Sequence, residues 1–395
     1  MAAVGPQSLT TSVCTSPHAM QASTNLALAI AVAADLAGAA ALRVAAGSLL
    51  GSRQHGMQAA TAYLCAAAVA LLAGSGSVAT SIQNAALLAA AVAALAPRGS
   101  LLSAMLLAAG SADWLPGAVL QGVPLALLAA SWQRSSGGSG GASGSDSGAA
   151  PHVRVVARRL AGYLCCFAAT AAALGHARSA LPPVVAAAVG LAGGRSEAPA
   201  VRPADLAADP LAWVGTRVAQ QPPHLRDAVV LPAATLEPGL GLHWYLLAQC
   251  FPQYRAFFLY VLRWLPTALM LPLALRFSSQ PGLLLAAGAL ARCLLHPRPL
   301  LGTAALWVGL LPLAGPHLTA IKGSLPWLGL GQGLAALLSA SAASLWLGGN
   351  GGNANFLYGM NLLWAGLQAV LLLRLLRAAA AAQQPATRGA EATAS

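Results

Sequence analysis

Charge is what this sequence most lacks. Only 8% of its 395 residues are Asp, Glu, Lys or Arg, against about a quarter in soluble domains. With 57% hydrophobic residues and a mean hydropathy of +0.68, an ordinary soluble domain is excluded and a multi-span membrane protein is implied. Acids are the scarcest group, nine in all, so the formal net charge is +12. The basic residues nevertheless stand scattered at the ends of apolar runs. No dense patch exists to neutralise a row of phosphates, which argues against nucleic acid and for charges that set topology. Lys322 is the sole lysine.

Other absences narrow the chemistry. The six cysteines form no CxxC pair and mostly sit inside apolar runs, where thiols behave as small buried hydrophobes. No disulfide framework, zinc site or other metal centre is expected from that pattern. There is no Asn-x-Ser/Thr sequon, so glycosylation gives no clue to sidedness. No carboxylate pair, serine elbow or Cys–His pattern marks a catalytic constellation, and none of the cofactor motifs is met. The chain reads as a non-enzyme without a cofactor.

What is present is an all-α, polytopic transmembrane bundle of roughly 8–11 spans, some short or broken. Residues 1–23 hold no Asp, Glu, Lys or Arg and no long apolar run, and are expected to be disordered. Membrane helices follow over 24–134, the first across Asn25–Ala46 and the others near Tyr63–Ala73, Ile82–Ala96, Leu101–Ala112 and Leu115–Trp132. A Gly/Ser linker at 135–152 lies between Arg134 and Arg154, Arg158 and Arg159, which makes it the cytosolic anchor. One broken span or two short ones occupy 153–194. The hydrophilic loop at 195–238 holds five of the nine acids, and its mixed signs suit the lumenal side. A C-terminal membrane core runs from 239 to 377, and a disordered tail from 378 to 395.

Two patches and one carboxylate stand out. Asp35 lies within the first span, where an acid is expensive and must find a donor. It is either a hydrogen-bonded packing residue or a functional one. His243, Trp244 and Tyr245 open a span directly after the polar loop, where aromatic residues with polar tips settle at the headgroup level. Arg255 and Arg263 fall about 80° apart on a helix. They either share a polar face for an anionic headgroup or snorkel to an interface. Pro266 and Pro272 are expected to kink or break their helix. In Gly348–Gly359, glycines permit tight turns, and Asn353 or Asn355 is a natural N-cap for a span starting at Phe356. The same geometry can hold a phosphate or sugar.

These patches also carry a resemblance. Pro238-Gly239, His243-Trp244-Tyr245, Phe251, Arg255, Phe257-Phe258 and Pro272-Leu273-Ala274-Leu275-Arg276 look like the signature region of the PIG-U family, a membrane subunit of the glycosylphosphatidylinositol (GPI) transamidase. The likeness continues in order through His296-Pro297, Leu311-Pro312-Leu313, Leu345-Trp346-Leu347, the block from Gly352 to Tyr358, and Gln368. Upstream it is fainter, at Asp35-Leu36, Ser81 to Asn84 and Gly99 to Ala104. Nothing in residues 1–23 resembles that family's first span and lumenal loop.

The resemblance implies a membrane fold like that of the lipid-linked glycosyltransferases (GT-C-like) in the endoplasmic reticulum membrane. It implies a noncatalytic role in recognising or presenting the GPI lipid, with a cavity between helices taking the lipid and loop ends touching its glycan and phosphates. The implied partners are a PIG-K-like catalytic subunit, PIG-T, PIG-S and GPAA-like subunits. Residues placed toward the GPI lipid are Asn353, Asn355, Phe356, Tyr358, His243, Trp244, Tyr245, Arg255 and Asp35. A lipid-linked mannosyltransferase of the GPI pathway is the alternative, and it would need an acidic pair in a first lumenal loop. A transporter would need an internal repeat between the two halves.

Overall fold

A computed structural model describes residues 17–72, 78–96, 100–111, 115–136, 161, 165, 238–348 and 351–394. The linker from 137 onward, the 153–194 element and the 195–238 loop lie almost wholly outside these residues. Every regular element among the described residues is helical, so the protein is an all-α polytopic bundle. The N-terminal set is α1 (Pro17–Leu50), α2 (Arg53–Leu72), α3 (Val78–Leu95), α4 (Ser100–Gly110) and α5 (Leu115–Ser136). The C-terminal set begins with α6 (His243–Gln249), α7 (Pro252–Arg276), α8 (Pro281–Leu295) and α9 (Leu301–Leu310). A 3-10 turn (Leu311–Ala314) leads to α10 (Pro316–Ala320) and α11 (Leu325–Ala343), and a π turn (Ser344–Gly348) precedes α12 (Ala354–Ala394).

Among the described residues, five stretches are long and apolar enough to cross a membrane: Asn25–Leu50, Val78–Leu95, Gln253–Arg276, Leu325–Gly348 and Ala354–Gln383. Three shorter apolar helices, Gly117–Ala129, Pro281–Leu295 and Leu301–Ala314, fill in between them. Their backbones avoid lipid by being packed: α8 has buried residues from Leu283 to Cys293 without interruption. Short segments are tolerated in a membrane on that condition.

Two helices reach past the expected bounds. Helix α1 begins at Pro17, so 17–23 is helical ahead of the membrane-capable stretch that starts at Asn25. The tail expected to be disordered at 378–395 continues α12 as far as Ala394. Its alanine run 378–382 has the highest intrinsic helix propensity. Of the two outcomes expected at Pro266 and Pro272, a kink or a break, the break is absent: α7 runs continuously from Pro252 to Arg276. Each proline removes a single i→i−4 bond, and the helix is closed beyond them by Phe277 N–H donating to the Leu273 carbonyl at 2.9 Å.

The core joins both sets. Helix α3 packs on α1, α4 and α5, α2 on α1 and α9, α5 on α7 and α8, and α11 on α12. Half of the α3 span is buried against 12% of the α7 span, so α3 is central and α7 peripheral. The peripheral helix turns Tyr254, Phe257, Phe258 and Tyr260 outward. Gly309 on α9 sits where an added Cβ would come within 2.8 Å of Tyr63 Cβ and Leu42 Cδ2. Only glycine lets α9 close on α1 and α2 there.

Candidate functional site

Aromatic and amide side chains from four separate segments meet where α6 begins and α12 begins. Tyr245 on α6 and Tyr358 on α12 stack with ring centroids 4.1 Å apart and planes inclined by 18°. Trp244 meets Tyr245 edge-on at 5.4 Å, stacks on Trp346 of the π turn at 6.0 Å, and presents its edge to Tyr358 at 6.3 Å. Such offset and T-shaped pairs add about 0.5–1.5 kcal/mol each beyond the area they bury. The Trp244 ring is itself buried, with its indole N–H donating to the Gly239 carbonyl at 3.0 Å.

Amides tie this aromatic shelf to the backbone. The Tyr245 hydroxyl donates to Asn355 Oδ1. Asn353 Oδ1 accepts from the backbone N–H groups of Asn355 at 2.9 Å and Phe356 at 3.3 Å, which makes Asn353 the N-cap of α12. Gly352 precedes it at φ 97°, the left-handed region open to glycine. Asn361, fully buried one turn deeper, donates to the carbonyls of Gly239 at 2.5 Å and Gly241 at 3.4 Å and accepts from the Ser339 hydroxyl at 2.7 Å. The loop before α6, α11 and α12 are thereby joined at one side chain. A Cβ on Gly241 would lie 2.6 Å from the Pro297 carbonyl oxygen, so the 238–242 loop is also pressed against the 296–300 turn.

His243 is buried beneath the shelf, and its Nδ1 has no hydrogen-bond partner among the described residues. Burial, reinforced by neighbouring His296, pushes its pKa down to about 4. The ring is therefore neutral at neutral pH. Arg255 is half-buried, with Nε donating to the Leu247 carbonyl at 3.1 Å, so it closes the C-terminal end of α6. Phe356 stands 64% exposed beside the shelf.

Asp35 is elsewhere. It is buried with Tyr63 Oη donating to Oδ1 at 2.8 Å and Ser81 Oγ donating to Oδ2 at 3.0 Å, so its hydrogen-bond partners lie on α2 and α3. The nearby Asn84 Nδ2 donates to the Gly302 carbonyl at 2.8 Å, fastening α3 to α9. The hydrogen-bonded packing reading of Asp35 accounts for both of its oxygens.

A cavity of about 860 Å³ opens beside the shelf, within the range of small-molecule sites of roughly 300–1,000 Å³. Gly239, Leu240 and Leu357 form the part of its wall next to the shelf, α9 and Trp364 contribute further wall, and α2 and α11 line it as well. Its surface is almost entirely apolar.

Seven of the residues singled out in the sequence thus gather in one place: His243, Trp244, Tyr245, Asn353, Asn355, Phe356 and Tyr358. Arg255 braces that place, and Asp35 does not belong to it. Asn361 and Ser339 were missed. An amide inside an apolar span is the signal that points to Asn361, whereas a serine among alanines carries none.

Fold and site together define a polytopic helical membrane protein with an aromatic–amide shelf at the end of its C-terminal helices. Residues 228–364 match the family model described as GPI transamidase subunit PIG-U, so that region of the chain is similar to the PIG-U family. It is also similar to the GPI transamidase component GAB1 homolog of Schizosaccharomyces pombe, with 30% identity over 137 residues. That alignment takes in 35% of this chain and 33% of the relative, so the chain spans about a third of the length of the curated relative it matches. The matched region holds the whole shelf, from Gly239 to Asn361.

Proposed function

We propose that this protein is a noncatalytic membrane subunit of a GPI transamidase, resident in the endoplasmic reticulum, that presents the GPI lipid for attachment to proproteins. The observation that carries this reading is the shelf itself. It puts stacked tyrosine rings and the exposed amides of Asn353 and Asn355 side by side at the mouth of a membrane span, inside the family-matched segment. Ring faces suit the apolar faces of sugars, and amides suit hydroxyls and phosphate oxygens. A small number of placed polar groups on an apolar surface is how ligand sites fix orientation. Two of the N-terminal N–H groups of α12 are already taken by Asn353, so the side chains and the remaining helix end would meet the headgroup.

In this reading peptide cleavage and transfer belong to a separate PIG-K-like subunit, and PIG-T, PIG-S and GPAA-like subunits complete the assembly. Two measurements test it. Affinity purification of the tagged full chain from detergent is expected to recover a PIG-K-like partner, and recovery of none overturns complex membership. Replacing Asn353 and Asn355 together by Ala is expected to lower surface GPI-anchored proteins while the subunit still assembles. Normal levels of anchored proteins would reduce the shelf to a helix cap.

A further inference from the structure

The uncompensated positive charge of this chain gathers at one end of the bundle. The turns from Leu311 to Lys322 mark that end. A Cβ on Gly282, at the start of α8, would lie 2.7 Å from the Leu313 carbonyl oxygen, and one on Gly315 would meet Leu50, the last residue of α1, at 3.9 Å. The shelf sits at the other end of α8, where Gly241 meets Pro297. Arg276, just before α8, and Lys322 are exposed near those turns, as are Arg374 and Arg377 where α12 runs back along α11. Arg43 and Arg53, on either side of Leu50, are exposed too. No hydrogen bond or ion pair engages any of these side chains among the described residues. Asp35 and Glu391 are the only acids among those residues; the first is committed to Tyr63 and Ser81, and the second lies several turns beyond Arg377.

Two of these cations share a built pocket. Arg43 on α1 and Arg53, which opens α2, line a hollow of about 260 Å³ together with Val44, Gly47 and Ser48. It exists because α1 and α2 cross almost backbone to backbone: a Cβ on Gly56 would overlap the Arg43 carbonyl oxygen and lie 3.2 Å from the Gly47 nitrogen. Gly51, at φ 64°, makes the tight reversal between the two helices. Two guanidinium charges held in one hollow repel each other unless an anion lies between them. The first N–H groups of α2 have no partner within the helix and add positive potential at the same place. Arg43 falls inside the membrane-capable stretch Asn25–Leu50, about 10 Å short of its end, which sets the pocket at headgroup level. Its volume, below the roughly 300–1,000 Å³ of whole-ligand sites, suits a phosphodiester, and exposed Val44 and Leu36 continue from it along α1 toward the membrane interior.

An excess of Arg and Lys marks the cytosolic side of a membrane protein, and that leaflet carries the anionic phospholipids. We propose that the α1–α2 pocket binds the phosphate of one anionic phospholipid of that leaflet, clasped between Arg43 and Arg53 with the Ser48 hydroxyl as a further donor. Guanidinium forks match phosphate oxygens in geometry as well as charge. This goes beyond the functional reading above and does not depend on it, since the pocket lies outside the family-matched residues and at the opposite end of the bundle from the shelf.

The test is native mass spectrometry of the full chain in a neutral detergent, titrated separately with phosphatidylserine, phosphatidylcholine and inorganic phosphate. A single phosphatidylserine adduct is expected to saturate well before any phosphatidylcholine adduct forms. Arg43→Gln and Arg53→Gln should each raise its Kd about tenfold, the weight of one lost charge-assisted hydrogen bond. The control, Arg374→Gln with Arg377→Gln, removes more charge from the same end of the bundle but outside the pocket, and should leave that Kd unchanged. All four side chains are exposed, so the variants are expected to fold, and their thermal midpoints check this. Phosphatidylcholine bound as tightly as phosphatidylserine would overturn the proposal. Inorganic phosphate bound as tightly as the lipid would also overturn it, by making the pocket a soluble-anion site. So would a control that weakens binding as much as the pocket variants do, since the lipid would then be held by a diffuse basic surface.

Discussion

Tyr245 and Tyr358 stack face to face at 4.1 Å although they open two different helices, and the Tyr245 hydroxyl reaches on to Asn355 beside its stacking partner. The pair fixes the start of α6 against the start of α12. Tyr245→Phe keeps the stack and removes only the hydroxyl, a loss of about 1 kcal/mol, whereas Tyr358→Ala removes the stack as well. Under the proposed function, surface GPI-anchored proteins are expected to fall slightly in the first variant and severely in the second, with subunit abundance measured alongside. Equal effects would show that the ring faces do no more than the hydrogen bond.

Buried His243 gives the fold an acid limit. Burial holds its folded pKa at about 4, below the ordinary imidazole value of 6.5, so below pH 6.5 the unfolded chain takes up a proton that the folded chain refuses. The stabilisation is complete above about pH 6.5 and is lost progressively as pH falls toward 4, up to roughly 3 kcal/mol in all. Thermal midpoints of the detergent-purified protein should therefore fall over that interval. In His243→Gln the fall should be shallower, and an identical pH profile in the two proteins would remove His243 as its cause.

Asp35 ties three helices together through two hydroxyls. Tyr63→Phe keeps the ring that packs against Gly309 and deletes one donor to a buried carboxyl. A cost of about 1–2 kcal/mol is expected, read as a lower thermal midpoint, without loss of partner subunits in a pull-down. Asp35→Ala should cost more, because it removes the carboxylate acceptor from both hydroxyls. A reduction of anchored proteins in Tyr63→Phe at unchanged stability would instead give Asp35 a functional part.

Much of the shelf was legible in advance because its signals are local. A cap asparagine before an apolar run, and aromatic residues with polar tips after a polar loop, follow from chain order alone. Asn361 was not, because its role depends on Gly239 and Gly241 arriving from far along the chain. Helix α7 stays continuous across Pro266 and Pro272 because the bond each ring removes is outweighed by those on either side in a 25-residue helix.

The sequence by itself determined the membrane class, the helical elements, the family-matched region and the need of Asp35 for donors. Scarcity of charge, segment length and the cost of a carboxylate in hydrocarbon leave few alternatives to these. Only the tertiary structure decided which faces meet: Tyr245 on Tyr358, Asn361 beneath Gly239, and α2 and α11 on the walls of one cavity. When lipid and protein core are equally apolar, a helix sequence carries little record of which side it turns inward. Rotation about each helix axis is then settled by close packing and a handful of polar contacts between distant segments.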